Sequence, residues 1–305
     1  MKVTLDLDKL LHEGKITDSE YAKFSELSAQ TLGSLAFNIL IGFGVIAVSG
    51  ASLALIPTAA TAMVIGSVIL LGGLIVLHKH SQQWLVLANI CTLIGALMAG
   101  SGAIAHFEGS AYVILAVAAF FTLASYLSKS ALLAVLAVLT LSSSIGAQTG
   151  YFHASYVIVI KEPAITVVLF SALAVGLYQL SKILKPDDER IALIAARTSV
   201  FIANMGFWVG SLWGVRNLEY KVVIPSEAFA IMWALALLAT GIWAWKRNRR
   251  WVVNTVAVFG GIHFYTQWFE YLDATPETVL IGGTLALLFA YILKTMNEKL
   301  KSSDM

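Results

Sequence analysis

Charge is scarce in this chain. Asp, Glu, Lys and Arg together make up 12% of 305 residues, where a soluble domain carries about 25%. The shortage is concentrated in long uncharged runs that reach the roughly 20 apolar residues needed to cross a bilayer core. With 58% hydrophobic residues, the chain reads as an all-α, polytopic transmembrane helix bundle whose solvent is lipid. Cysteine is nearly absent as well. Cys91 is the single one, which excludes an intramolecular disulfide and any metal site built from cysteine pairs. It reads as a small buried apolar residue. A basic-then-apolar signal peptide is missing, because residues 1–30 are polar and carry both signs of charge. The first spanning helix is therefore expected to act as its own uncleaved insertion signal. The net charge of +2 says little by itself, because the placement of the charges matters more, and no nucleic-acid partner is expected.

Catalytic motifs are missing too. The chain has no phosphate-binding glycine loop, no His-Glu-x-x-His pair and no Gly-x-Ser-x-Gly elbow. No aspartate falls inside an apolar run, so an aspartyl intramembrane protease is excluded. Ser142-Ser143-Ser144 has no histidine in its own segment. No catalytic residue and no cofactor is nominated on this basis, and an enzyme acting on lipids ranks behind the non-enzymatic readings. The middle of each apolar run is almost free of charge. Arg197 lies near one end of its segment and can snorkel; Glu270 lies near the end of another. That argues against a pump or an ion-coupled carrier, which usually needs an ionisable group at depth.

What remains has a clear order. Residues 1–30 are expected to form a short helical hairpin. Leu5, Leu7, Leu10 and Leu11 supply an apolar face, and Gly14 a stop. Thr17-Asp18-Ser19-Glu20 matches a capping box, and Tyr21, Phe24 and Leu27 follow at helical spacing. Residues 31–296 then form the bundle, and 297–305 a tail. Ten spans are expected, at about 32–54, 58–78, 84–105, 110–128, 130–148, 164–183, 194–214, 224–245, 251–271 and 277–295. Gly42-Phe43-Gly44, Gly72-Gly73 and Gly282-Gly283 are candidate helix crossings. Two five-helix halves are arithmetically possible, with no visible sequence repeat. Tyr156-Val157-Ile158-Val159-Ile160 is β-prone ahead of a helix-starting Pro163. The expectation there is a re-entrant or interface-lying segment in place of free coil. Pro186-Asp187-Asp188-Glu189 is expected to start the next helix.

The loops give an orientation. With the N-terminus inside, only Lys161, Arg216 and Lys221 of the 20 Lys and Arg fall outside, which leaves 20 − 3 = 17 inside. This positive-inside bias places both termini in the cytoplasm. Its clearest anchor is Lys246-Arg247-Asn248-Arg249-Arg250, read as a topology determinant before a lipid-headgroup site.

Two segments concentrate the polar groups. Arg197, Phe201, Asn204, Trp208 and Ser211 recur on one helical face. Between Gly261 and Asp273, His263, Gln267 and Glu270 stand at i, i+4 and i+7 among five aromatic residues. His263, Gln267, Glu270, Asn204 and Trp208 are thus the candidate ligand-binding residues. The competing account is packing, with asparagine bonded across a helix interface and aromatics forming the membrane-interface belt. His106, His153 and His263 share the outer side, but no pair has ligand spacing within one helix, so no metal site is nominated.

Leu11-x-x-Gly14-x-Ile16-x-x-x-x-Tyr21, followed by a glycine-rich first helix, resembles the opening of an uncharacterised bacterial membrane-protein family, the domain of unknown function twenty-one fifty-seven. The run Phe264 to Phe269, Thr275-Pro276 and Gly282-Gly283 is similar to the end of those proteins. Where the family has an Asn-Trp pair after the first helix, this chain has Leu53-Ala54-Leu55-Ile56-Pro57. The resemblance implies a bacterial inner-membrane location and carries no activity or site residue. Two functions are expected on these grounds. One is binding or transport of a small neutral or weakly polar molecule. The other is a membrane scaffold or regulator whose residues 1–30 recruit a cytoplasmic protein, with the lipid bilayer as partner in both.

Overall fold

A computed structural model describes residues 7–79, 84–152, 155–216 and 221–302. Among them the chain is helical almost throughout. In order come α1 (Leu7–His12), α2 (Asp18–Leu55), α3 (Ala59–His78), α4 (Leu85–His106), α5 (Ala111–Ser128) and α6 (Ala131–Ser144). A hairpin of β1 (Ala147–Phe152) and β2 (Ser155–Ile160) follows, then α7 (Pro163–Ser181) and α8 (Pro186–Trp213). A second hairpin, β3 (Val215–Arg216) and β4 (Val222–Ile224), leads to α9 (Ser226–Lys246), α10 (Arg250–Leu272) and α11 (Pro276–Ser302). The all-α bundle expected from composition is what the chain forms. Seven helices are long and apolar enough to cross a membrane: the Phe37–Leu55 part of α2, then α3, α4, α5, α7, α8 and α9. The other three expected spans are present as helices but fall short of that measure. α6 has 14 residues, and the apolar run of α11 covers Pro276–Ile292. α10 has 23 residues, long enough to span, but its polar cluster leaves it outside the seven that are also apolar enough.

Local chemistry explains the boundaries. Gly14, at φ +65°, closes α1 in a Schellman turn, with Gly14 N–H donating to Leu11 O and Lys15 N–H to Leu10 O. The Thr17 capping box then opens α2: Glu20 N–H donates to Thr17 Oγ1, and Thr17 N–H to Glu20 Oε2 at 2.9 Å. The Thr17 N–H and the Thr17 hydroxyl both donate to Glu20 Oε2, each at 2.9 Å, and hold this exposed carboxyl below its ordinary pKa. The hairpin helix and the first span, expected as separate pieces, are one helix of 38 residues. The lone Gly33 between them costs only about 1 kcal/mol in a helix and does not break it. α4 starts without a cap from its own chain neighbours. Asn38 of α2, 2% exposed, supplies one instead by accepting the Leu87 N–H at 3.3 Å. The β-prone run near 156–160 pairs as a regular antiparallel hairpin, with Ala147 opposite Ile160 and Phe152 opposite Ser155.

The chain divides into two compact units. Unit 1 comprises residues 1–141 and 184–194. Its centre is the α3–α4 pair. Ala59, Met63, Gly66, Leu70 and Gly73 face Gly102, Ala99, Gly95, Thr92 and Ala88 of the antiparallel partner, backbone against backbone. Both sets step by four and three residues, the repeat of a supercoiled pair. Leu70, Ala96, Val117, Phe121 and Leu133 form the apolar core beside it. The expected crossings divide on this test. Gly73 sits in the contact, Gly42 meets only the Ile90 side chain, and Gly44, Gly72 and Gly283 face open space. Gly66, Gly95 and Gly102, not singled out in the sequence, make the close approach. At one end of the unit, Lys129 forms an ion pair with Asp188, and Arg190 Nη2 donates to Lys129 O at 3.1 Å.

Unit 2 comprises residues 142–183 and 195–305. Its core gathers Ile160 of β2, Met205 of α8, Trp233 and Leu237 of α9, and Phe259 of α10. Gly210 lets α8 approach the Phe229 ring of α9 closely.

Candidate functional site

The candidate site is built from three helices of unit 2. α8 presents the stripe read from the sequence, and its members are spoken for one by one. Arg197 lies over the Trp251 ring of α10 at 4.9 Å. Phe201 packs on Phe259 with ring centroids 5.9 Å apart. Trp208 Nε1 donates to Thr266 Oγ1 at 2.9 Å, and Ser211 Oγ donates back to Trp208 O. The residue numbers rise together along both helices, so α8 and α10 run parallel where they touch.

Asn204 looks toward α9. Its Nδ2 donates to Val200 O and its Oδ1 accepts from Trp233 Nε1, both at 2.8 Å. Both ends of the amide are thus satisfied, in the cross-helix manner that packing favours. Trp233 is 0% exposed. The Phe207 ring stacks parallel to it at 6.3 Å, and His263 meets it edge-on at 5.0 Å.

The stretch Gly261–Asp273 therefore has two faces. One carries His263, Thr266 and Gln267. The other is fastened to α11. Tyr265 Oη donates to Gly282 O at 2.6 Å, Trp268 Nε1 donates to Thr278 O at 3.3 Å, and Phe264 meets Phe289 edge-on at 5.6 Å. An interfacial belt would turn these polar tips toward headgroups; here α11 carbonyls receive them. Glu270 is exposed near the end of α10.

No family model, curated protein or solved structure matches this chain. Function has to be read from the residues themselves. Among the buried side-chain atoms, His263 Nδ1 and Gln267 Nε2 have no hydrogen-bond partner. They sit one helical turn apart on the same face, a separation of about 5–6 Å between side-chain bases. Burying such groups unpaired costs about 1–3 kcal/mol each, so the pair is an expensive feature unless something binds it. Asn204 and Trp208, by contrast, have their polar atoms engaged.

Of the five candidates, His263 and Asn204 thus come together through Trp233, while Trp208 joins through Thr266 and Gln267 is one turn along α10. Glu270 stands apart. Trp233 and Thr266 went unrecognised in the sequence. Trp233 could have been found: it lies near the middle of an apolar helix, where no headgroup or water can take its N–H, so it demands a partner. Among the described residues no three His, Cys, Asp or Glu side chains are placed to hold a metal. His153 lies outside the described residues.

Proposed function

We propose that the chain is a ten-span protein of a bacterial inner membrane, with both termini cytoplasmic, that binds or conducts a small neutral molecule at His263 and Gln267. The observation that carries the reading is the pair of buried, unpartnered atoms on one face of α10, beside the Trp233 ring. The chemistry that fits is one acceptor and one donor on a weakly polar body, as in an amide, a ureide or a polyol. The near absence of charge at depth favours a neutral ligand over an ion. The charge bias of the loops supports the orientation. The Lys129–Asp188 pair supports the alternation of spans, because it joins two turns that alternation assigns to the same side.

The test is a thermal-stability screen of the purified protein against neutral metabolites. A ligand at a hundredfold excess over its dissociation constant stabilises by about 2.7 kcal/mol. That stabilisation should vanish in His263→Ala and shrink in Gln267→Leu, with the unliganded proteins still folded. A broad screen that moves the melting temperature of the wild type nowhere would sink the proposal.

A recruiting role has its own supporting observation. The apolar part of α2 covers 19 of its 38 residues, so 38 − 19 = 19 residues precede it, about 28 Å at 1.5 Å per residue. α1 folds back through its Schellman turn ahead of that extension. On this reading a chain lacking residues 1–30 keeps its folded bundle and loses a cytoplasmic partner that the full chain retains. An unchanged set of co-purifying proteins would count against it.

A further inference from the structure

The α9–α10 connection is held more tightly than a topology signal requires. Positive-inside orientation depends on how many Lys and Arg a loop carries, and it is indifferent to their geometry. Here the geometry is fixed. Arg247 N–H donates to Trp243 O, Asn248 N–H to Trp245 O, and Arg249 N–H to Ala244 O at 2.9 Å. This is a Schellman closure with Asn248 at φ +52°, in the left-handed region that asparagine tolerates. Beneath it Ala244, Val252 and Val253 form a buried cluster against which Trp251 packs. Three exposed cations, Lys246, Arg247 and Arg249, are thereby displayed from one short, anchored turn, with Arg250 half-buried beside them as a fourth. Arg197 adds a fifth from α8, lying over Trp251.

The flanking sequence offers no acidic residue to them. From Ala228 to Phe269 the sequence contains no Asp or Glu. Among the described residues Lys246, Arg247 and Arg249 are exposed and have no carboxylate partner. Two indoles flank the turn, Trp243 and Trp245, 43% and 40% exposed. Exposed tryptophan at a helix end marks headgroup depth. Along α9, Leu235, Leu238 and Ile242 are also exposed. With Trp245 they recur at helical spacing, so one apolar stripe runs straight up to the basic turn.

We propose that this turn is a binding site for one anionic phospholipid, its phosphate on Arg247 and Arg249 and an acyl chain along Leu235, Leu238 and Ile242. Arginine suits the role because its planar fork grips phosphate oxygens in pairs. The apolar stripe favours a lipid over a free anion, which would have no use for it. Each basic residue near an anionic surface strengthens attachment about fivefold.

The experiment uses the full chain in neutral detergent, where insertion orientation plays no part. Phosphatidylglycerol, phosphatidylcholine and inorganic phosphate are titrated separately while the melting temperature is read, and retained lipids are counted by native mass spectrometry. Phosphatidylglycerol should stabilise and stay bound, and phosphatidylcholine should do neither. Arg247→Gln with Arg249→Gln should weaken the phosphatidylglycerol response about 25-fold, two fivefold steps, and Arg247→Lys with Arg249→Lys, which keeps the charge but loses the paired grip, should fall between the wild type and the glutamine variant. The wild type alone also decides the matter by lipid competition, should the glutamine variant fold poorly. Equal responses to the two lipids, an unchanged response in the glutamine variant, or the full shift from inorganic phosphate alone would each overturn the site.

Discussion

Gly73→Ala will destabilise this protein and Gly72→Ala will not, although the two glycines are neighbours in one helix. A Cβ at Gly73 would lie 2.7 Å from Thr92 Oγ1 and 2.8 Å from Thr92 N; at Gly72 it would meet nothing within 4 Å. The larger effect belongs to Gly95, where the new atom would come within 2.3 Å of Leu70 N and 2.6 Å of Gly66 O. Backbone atoms cannot rotate away as a side chain can, so α3 and α4 must separate along their length. Their contact is made of small residues, and in lipid it has no hydrophobic driving force in reserve; dispersion at close range is what holds it. Overpacking of this kind costs about 1–3 kcal/mol, occasionally more, and Gly95→Ala should sit at or above the top of that range. Gly72→Ala removes a poor helix former from an open face and should be neutral or stabilise by up to about 1 kcal/mol. Unfolding in mixed detergent micelles measures all three. Equal losses at positions 72 and 73 would show that the pair does not pack by backbone contact.

The glycines also show where sequence reading stops. The ten apolar runs all fold as helices, seven of them long and apolar enough to cross a membrane, where lipid leaves a spanning backbone no alternative. The boundaries follow from local chemistry such as Thr17, Pro163 and Pro186. Which glycine faces a partner is set by the rotation of each helix against its neighbour, and a run apolar all round carries little record of that rotation. The seven-residue spacing of Gly66 and Gly73, and of Gly95 and Gly102, is in the sequence, but so are other glycines with equal claims. In α10 the same limit applies differently. Its polar content marked it as the place to look, and the shared face of His263 and Gln267 followed from spacing alone. Two things did not follow: that Tyr265 and Trp268 would give their polar tips to α11, and that the link from His263 to Asn204 would be a tryptophan on a third helix.

That tryptophan sets the second large effect. Trp233→Ala should cost about 3–5 kcal/mol, the usual loss for truncating a fully buried aromatic, because it empties the space among Phe207, Met205, Phe259 and His263. Trp233→Phe is the sharper variant. It keeps a ring against His263 and Phe207 but removes the Nε1–H that Asn204 Oδ1 accepts. An acceptor buried without its donor costs about 1–3 kcal/mol, while hydrogen bonds between membrane helices average only about 0.6 kcal/mol. A loss of about 1–2 kcal/mol is therefore expected. Removing both partners, Trp233→Phe with Asn204→Leu, should recover part of it, since neither polar atom is then stranded. The double-mutant cycle should report a coupling of about 1 kcal/mol. Strict additivity would mean that the hydrogen bond contributes nothing and that the indole acts by volume alone. The same variants separate stability from binding. Asn204 and Trp233 satisfy each other, whereas His263 and Gln267 are the atoms left over. The doubly apolar variant should therefore keep a ligand response that His263→Ala abolishes. If it loses that response while staying folded, the ligand contacts the Asn204–Trp233 pair directly, and the site extends from α10 onto α8 and α9.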